Sequence, residues 1–115
     1  MKKLPKVLVL LLAITMVIGL VGCQTTTGND TLSKIGIIQY VEHPALDAAR
    51  DGFIKALKDN GYEDGKNITL DVQNAQADQS NLKSIAQRFV NDKEDLILAI
   101  ATPAAQAMAS ETTEI

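Results

Sequence analysis

Polar groups suited to binding a small solute are concentrated in three short segments, each of which follows an apolar run. They offer amide, phenol, carboxylate, imidazole and hydroxyl groups, together with backbone amides at a predicted helix start. The candidate ligand-binding residues are Gln39, Tyr40, Glu42 and His43, then Asn74, Gln76 and Asp78, and finally Thr102, Pro103, Ala104 and Ala105. A few convergent polar groups of this kind orient a ligand in a pocket.

The third segment is the strongest predicted anion site. We expect Thr102 to be the N-cap of a helix and to supply a hydroxyl, with Pro103 at the first helical position. The amides of Ala104 and Ala105 would then be unpaired first-turn donors, which suit a carboxylate. A plain helix cap explains Thr102 equally well.

The other two segments supply acidic groups. Glu42 or Asp78 would balance an ammonium group, so that all three segments together suit an α-amino acid. Each residue also has a purely structural explanation, because Asp78 suits a helix N-cap and Asn74 suits a turn.

Catalytic chemistry is not indicated. The single histidine, His43, lies beside Glu42 in a predicted loop, but no serine nucleophile is placed near it, and we expect an exposed loop histidine. Residues 61–67 lack the spacing of a phosphate-binding loop, and the sequence has neither a glycine-rich dinucleotide motif nor zinc-ligand spacing. We therefore expect a protein that is not an enzyme and that has no metal or cofactor.

Three strand–helix pairs are predicted to position these segments. Apolar patterning predicts strands at 34–40, 67–74 and 95–101, with helices from Pro44 to Asn60, after Asp78, and from Thr102 to about residue 109. In the first helix, the predicted inward face consists of Leu46, Ala49, Phe53, Ala56 and Leu57. The charged residues Asp47, Arg50, Asp51, Lys55 and Lys58 lie mostly on the opposite, solvated face. The pattern predicts an α/β fold, a βαβαβα three-layer parallel sheet. The alternating strand 67–74 is expected near an edge and the very apolar 95–101 at the centre. Because ligands bind at the carboxyl ends of parallel strands, the three segments should share one edge.

The amino terminus resembles a targeting signal. Lys2, Lys3 and Lys6 precede an apolar run that ends in Leu20-Val21-Gly22-Cys23, which resembles a bacterial lipobox. We expect a lipoprotein signal peptide at 1–22, lipidation of Cys23, and a flexible tether at 23–33. The protein would then lie on the extracytoplasmic face of the cell membrane, anchored to the bilayer by acylated Cys23. An uncleaved anchor and a plain secretory signal are the alternatives.

Charge and length limit the remaining possibilities. All 14 acidic residues lie after position 22, the formal net charge is −3, and the chain has one cysteine. Nucleic-acid binding and an intrachain disulfide are therefore not expected. Residues 111–115 look like a connection into a fourth strand, so we expect 34–115 to be a partial lobe of a longer protein. A complete small domain that dimerises is the alternative.

One known family shares these segments. The blocks IGIIQYVEHPALD (35–47), ARDGF (49–53) and GY (61–62) resemble the start of the tryptophan/tyrosine-type ABC-transporter substrate-binding lipoproteins. The blocks NAQADQS (74–80) and ATPAAQ (101–106) match that family's next two strand-end segments, so the resemblance covers nearly all of 35–115.

The resemblance implies part of lobe one of a periplasmic-binding-protein type I fold. It implies capture of a small solute, with tryptophan or tyrosine favoured, for delivery to a membrane permease, and it makes Tyr40 the residue placed to stack on an aromatic ligand. An exported flavodoxin-like enzyme fragment and a surface structural or adhesive lipoprotein remain alternatives.

Overall fold

The computed structural model describes residues 32–115, so the predicted signal peptide, Cys23 and nearly all of the tether lie outside the described residues. The predicted order of alternating strands and helices is confirmed. The elements are β1 (Ser33–Gln39), α1 (Pro44–Asp59), β2 (Ile68–Asn74), α2 (Gln79–Asn91), β3 (Leu96–Ile100) and α3 (Thr102–Glu111). The strand β1 begins one residue earlier than expected, at the last position of the predicted tether.

The three strands form a parallel sheet in the order β2-β1-β3. In the centre of the sheet, Ile37 of β1 is paired with Val72 on one side and Leu98 on the other. The edge position predicted for β2 is confirmed. Within residues 32–115, the central position predicted for the strand at 95–101 is occupied by β1, so that prediction is wrong for the described sheet. A continuous apolar run indicates that a strand can be buried on both faces. It does not indicate how many strands pair with it.

Helices cover both faces of the sheet. Alternation along β1 places Gly36 and Ile38 on one face and Ile35, Ile37 and Gln39 on the other. The first face carries the main core cluster, which joins the sheet to α2 and α3. Its buried members are Ile38, Ala75, Leu82, Ala86, Phe89, Ala104 and Met108.

The opposite face is covered by α1, which Gln39 contacts through side-chain hydrogen bonds. The structure describes all of α1, and none of its residues is fully buried. Of the predicted inward positions, Leu46, Phe53 and Leu57 are half-buried, whereas Ala49 and Ala56 are exposed. The face of the helix was therefore predicted correctly at its large side chains only.

Helix boundaries follow local capping chemistry, with one correction. Asp78 caps α2 as expected, since its Oδ1 accepts a hydrogen bond from the Asn81 amide at 2.8 Å. The predicted N-cap at Thr102 is wrong: Ala101 occupies the cap position of α3 and Thr102 is the first helical residue.

The far end of the chain also differs from expectation. Helix α3 extends to Glu111, two residues beyond the expected end, so the predicted connection at 111–115 is non-helical only at residues 112–115. Within 32–115, no helix combines the length and the apolar character needed to cross a membrane.

Candidate functional site

The carboxyl ends of the three strands are joined through Tyr40. Its backbone amide donates to the carbonyl of Ile100 at the end of β3, at 3.3 Å, and its carbonyl accepts from the Ala77 amide at 2.8 Å. Its phenol donates to the Ala77 carbonyl at 3.2 Å. The ring also packs against the main core cluster. The predicted juxtaposition of strand ends is therefore present, and Tyr40 is half-buried between them.

The loop between β2 and α2 has a tight, locally determined shape. The side chain of Asn74 accepts a hydrogen bond from the Gln76 amide at 2.7 Å. This turn holds Gln76 and Ala77 in the left-handed region, with φ of 55° and 59°. An asparagine that bonds to the backbone two residues on is a common way to fix such a turn. It leaves the Gln76 side chain exposed at the sheet edge.

A shallow concavity lies between the first two loops. It has a volume of about 280 Å³ and is lined by Val41, Glu42, Asn74 and Gln76. Three of these four were predicted as ligand-binding residues, and Val41 was missed because it is apolar. The concavity offers a carboxylate, two amides and one apolar side chain. This combination can orient a small zwitterion.

Gln39 is placed differently from expectation. It is 1% exposed, and its Nε2 donates to the Val41 carbonyl at 2.8 Å and to Asp47 Oδ1 at 2.7 Å. Its Oε1 accepts from Arg50 Nη1 at 3.3 Å. Both the nitrogen and the oxygen of the Gln39 amide form hydrogen bonds on the α1 side of the sheet. Gln39 therefore stabilises the β1–α1 loop and does not line the concavity.

Sequence reasoning assigned Asp47 and Arg50 to a solvated helix face and so missed this network. The sequence does contain a pattern that indicates this hydrogen-bond network. The two residues are spaced i,i+3 on α1 and form an ion pair at 3.4 Å, directly after a strand that ends in glutamine. The Arg50 guanidinium also bonds Asp51, and this hydrogen bond is the main cause that raises the pKa of Arg50.

His43 has a structural role in this arrangement. It is exposed and serves as the N-cap of α1, where its Nδ1 accepts a hydrogen bond from the Ala45 amide at 3.3 Å. The expectation of an exposed loop histidine is confirmed, while its function as a helix cap was not predicted.

The third segment offers fewer free donors than predicted. The Ala105 amide is engaged, because it donates to the Ala101 carbonyl at 3.1 Å. Ala104 is fully buried in the core cluster. Thr102 is exposed, and within the described part of the chain no side chain caps α3. The anion-binding potential of this segment therefore rests on the Thr102 hydroxyl and the positive end of the α3 dipole.

Two further features surround this segment. Ala101 has φ 81° and ψ 152°, a conformation that is almost restricted to glycine. Pro103 is half-buried and does not line the first concavity. It lines a separate groove of about 360 Å³ between α2 and α3, together with Gln79, Lys83, Gln106, Ala107, Ser110 and Glu111.

Residues 34–115 match the family described as ABC transporter substrate binding protein. The chain is 46% identical over 127 aligned residues to a tyrosine-binding protein of Clostridioides difficile, an alignment that covers 100% of this chain and 37% of the relative.

Solved structures of similar chains agree with the fold. One is the ligand-free, open structure of a substrate-binding protein with adhesive properties from Clostridium difficile, with 58% identity and a TM-score of 0.72, covering 73% of this chain and 28% of that one. Another is a domain from Streptococcus pneumoniae in complex with L-Trp, with 38% identity and a TM-score of 0.69, again covering 73% and 28%. A conserved domain protein from Vibrio cholerae has 46% identity and a TM-score of 0.68, covering 70% and 27%.

These matches span most of the described residues, while the chain spans little more than a third of the length of its curated relative. The open parallel α/β sheet and the strand-end segments are those of substrate-binding domains. The chain belongs to the family of ABC transporter substrate-binding proteins.

Proposed function

We propose that this chain forms part of the extracytoplasmic solute-binding component of an ABC importer, that its ligand is an aromatic amino acid such as tryptophan or tyrosine, and that it delivers this ligand to a membrane permease. Its role is binding without chemical conversion of the ligand. The family match, the name of the tyrosine-binding relative and the L-Trp complex of a similar structure support this choice.

The observation that carries the proposal is the concavity at the carboxyl edge of the sheet, where Glu42, Asn74 and Gln76 converge. An α-amino acid fits these groups in one orientation. Its ammonium group pairs with the Glu42 carboxylate, and its carboxylate lies toward Thr102 at the positive end of α3. The apolar side chain of the ligand then lies along Val41 and the exposed part of Tyr40.

Ligand binding to the native gene product is the direct test. We expect L-tryptophan or L-tyrosine, but not L-lysine, to raise its melting temperature and to give a saturable signal in calorimetry. Glu42→Gln should weaken binding by about tenfold or more, because a charge-assisted hydrogen bond is replaced by a neutral one. Glu111→Gln is the matched control, since Glu111 is the last residue of α3, whereas the binding edge lies at the first residue of that helix.

Thr102 is tested in the same assay. Thr102→Val should weaken binding without loss of stability, because the hydroxyl caps no helix here. Thr113→Val, at an exposed position beyond α3, is the control. If no aromatic amino acid stabilises the native protein, the proposal is wrong; if Thr102→Val binds normally, Thr102 has no part in the site.

Membrane anchoring through acylated Cys23 is a separate part of the proposal, supported by the lipobox-like sequence that ends at this residue. Cys23→Ser should release the protein into the soluble fraction of cells and abolish incorporation of labelled fatty acid. Thr26→Ser, three residues further on, should change neither. Unchanged membrane retention of Cys23→Ser would instead favour an uncleaved anchor.

Adhesion is the second candidate function, favoured by one observation. The similar structure with 58% identity is that of a substrate-binding protein with adhesive properties. A surface protein that is purely adhesive should bind host cells and show no ligand-dependent stabilisation. Binding of cells and stabilisation by an amino acid, measured on the same preparation, separate the two functions.

A further inference from the structure

Three acidic side chains converge toward the amino ends of the strands, away from the candidate binding edge. They belong to Asp71 in β2, Asp92 at the end of α2 and Glu94 just before β3. One carboxylate oxygen from each lies within 4.8 Å of the other two. Asp71 belongs to the sheet, whereas Asp92 and Glu94 belong to the connection between α2 and β3, so the fold brings two separate segments together at this cluster.

Glu94 is an unusual member of this cluster. It is 7% exposed, and its Oε2 is buried without a hydrogen-bond partner among the described residues. A buried carboxylate oxygen without a donor is costly, so a natural protein rarely keeps one without a use. Burial, together with the negative charge of Asp71, raises the pKa of Glu94. The unpartnered oxygen therefore has a strong requirement for a proton or a cation.

The positively charged groups beside the cluster do not pair with all three carboxylates. Arg88 Nη1 contacts Asp71 Oδ2 at 2.5 Å and Asp92 Oδ2 at 3.7 Å. Lys34 also lies nearby, but its Nζ donates to the backbone carbonyl of Asp92. One guanidinium thus serves two carboxylates directly and gives Glu94 no hydrogen bond.

We propose that Asp71, Asp92 and Glu94 form a calcium site, in which Ca²⁺ competes with the Arg88 guanidinium for the same carboxylates. All three ligands are hard oxygen donors, which is the chemistry that calcium prefers. Oxygen atoms up to 4.8 Å apart can share an ion with bonds of ~2.4 Å, whereas Mg²⁺ needs shorter bonds of ~2.0–2.1 Å and a stricter octahedron.

The exposure of the cluster gives the ion an entry path. Asp92 is exposed and Asp71 is half-buried, so the site opens to solvent on one side and is closed by Glu94 on the other. Water molecules can complete the coordination from the open side. With three carboxylates and a competing arginine, we expect a weak site, with a Kd on the order of 10⁻⁴–10⁻³ M.

Calcium titration of the native protein tests the proposal. CaCl₂ should raise the melting temperature and give a saturable calorimetric signal, whereas MgCl₂ at the same concentration should have a much smaller effect. Glu94→Gln should abolish the calcium effect, and Asp92→Asn, at an exposed position, should weaken affinity by ~10-fold because one ligand charge is lost. Asp92→Asn also serves as the informative variant if Glu94→Gln does not fold.

Arg88→Met is the most selective variant, because it removes the competing cation and leaves all three ligands in place. We expect it to tighten calcium binding. Lys83→Met, which removes a positive charge elsewhere on α2, is the control and should leave the affinity unchanged. If neither the wild type nor Arg88→Met responds to calcium, or if Mg²⁺ acts equally well, the proposal is wrong.

Discussion

The ring of Phe89 in α2 lies directly on Gly36 in the central strand. A Cβ atom built at Gly36 would be 2.7 Å from Phe89 Cε2 and 2.8 Å from Cδ2, closer than carbon atoms approach in folded proteins. The glycine therefore lets the helix pack closely onto the sheet. Phe89 is fully buried at this contact and belongs to the main core cluster.

Gly36→Ala should therefore lower the free energy of unfolding by ~1–3 kcal/mol, the usual cost of overpacking a core. Gly52→Ala provides the control, because a Cβ at Gly52 meets no atom within 4 Å and the residue lies inside α1. That change should stabilise the protein by ~0.5–1 kcal/mol through helix propensity. Urea unfolding of both variants measures the difference. Equal stability of the two would contradict the contact.

The buried amide of Gln39 should support stability and should not contact ligand. Gln39→Met keeps the volume but removes the hydrogen bonds to Val41, Asp47 and Arg50, so we expect a loss of ~1–3 kcal/mol. Gln76→Met, at the exposed edge, should leave stability unchanged and weaken amino-acid binding. Denaturation and calorimetry on both variants test this division. A stable Gln39→Met protein without ligand affinity would place Gln39 in the binding site.

Backbone strain at Ala101 gives a third prediction. A non-glycine residue in this region of φ and ψ costs ~1–3 kcal/mol, which exceeds the ~0.5–1 kcal/mol that glycine loses through chain entropy. Ala101→Gly should therefore raise the melting temperature, whereas Ala109→Gly, at an exposed position inside α3, should lower it. Thermal unfolding of the two variants compares the same substitution in two conformations. A decrease of similar size in both would show that Ala101 is not strained.

Acid dependence of stability should include a contribution from Glu63. Lys66 lowers the pKa of Glu63 below the ordinary value, mainly through its hydrogen bond to the carboxylate and secondly through its positive charge. The pKa of Glu63 is lower in the folded state than in the unfolded state, where it is ~4.3. The ion pair therefore stabilises the fold above pH ~4.3 and loses this effect as the pH falls through the folded pKa. The stability difference between wild type and Glu63→Gln should therefore shrink on acidification below pH ~4.

Direct titration of Glu63 by NMR provides the independent measurement, with Glu114→Gln as the control variant for the denaturation series. A Glu63 pKa at or above the ordinary value would contradict the ion pair. So would a pH profile that Glu63→Gln leaves unchanged.

Patterning along the chain was sufficient to predict the order of elements, the parallel sheet and the edge where the strand-end loops meet. These follow from local periodicity and from the geometry of βαβ units. The centre of the sheet was mispredicted, because the apolar sequence of β3 does not record which strands it pairs with. The order of strands depends on pairings between distant segments that no local window contains.

The binding edge shows a similar division. Asp78 was predicted correctly as a cap because capping is a local interaction. Gln39 was misplaced because its partners lie on α1, across the sheet face, and Thr102 because the chain turns one residue earlier, at Ala101. The calcium cluster was not predicted, since Asp71 and Glu94 are 23 positions apart and converge only in the folded chain.

The outer edge of β3 has a consequence for handling the protein. Within residues 32–115, β3 pairs only with β1, so its other side presents a row of backbone donors and acceptors along Leu96–Ile100. The strand contains five apolar residues and no charge or proline to discourage pairing with a second chain. Expression of residues 32–115 alone should therefore give concentration-dependent self-association by strand addition, and Leu96→Lys, at a position where the residue is 49% exposed, should reduce it.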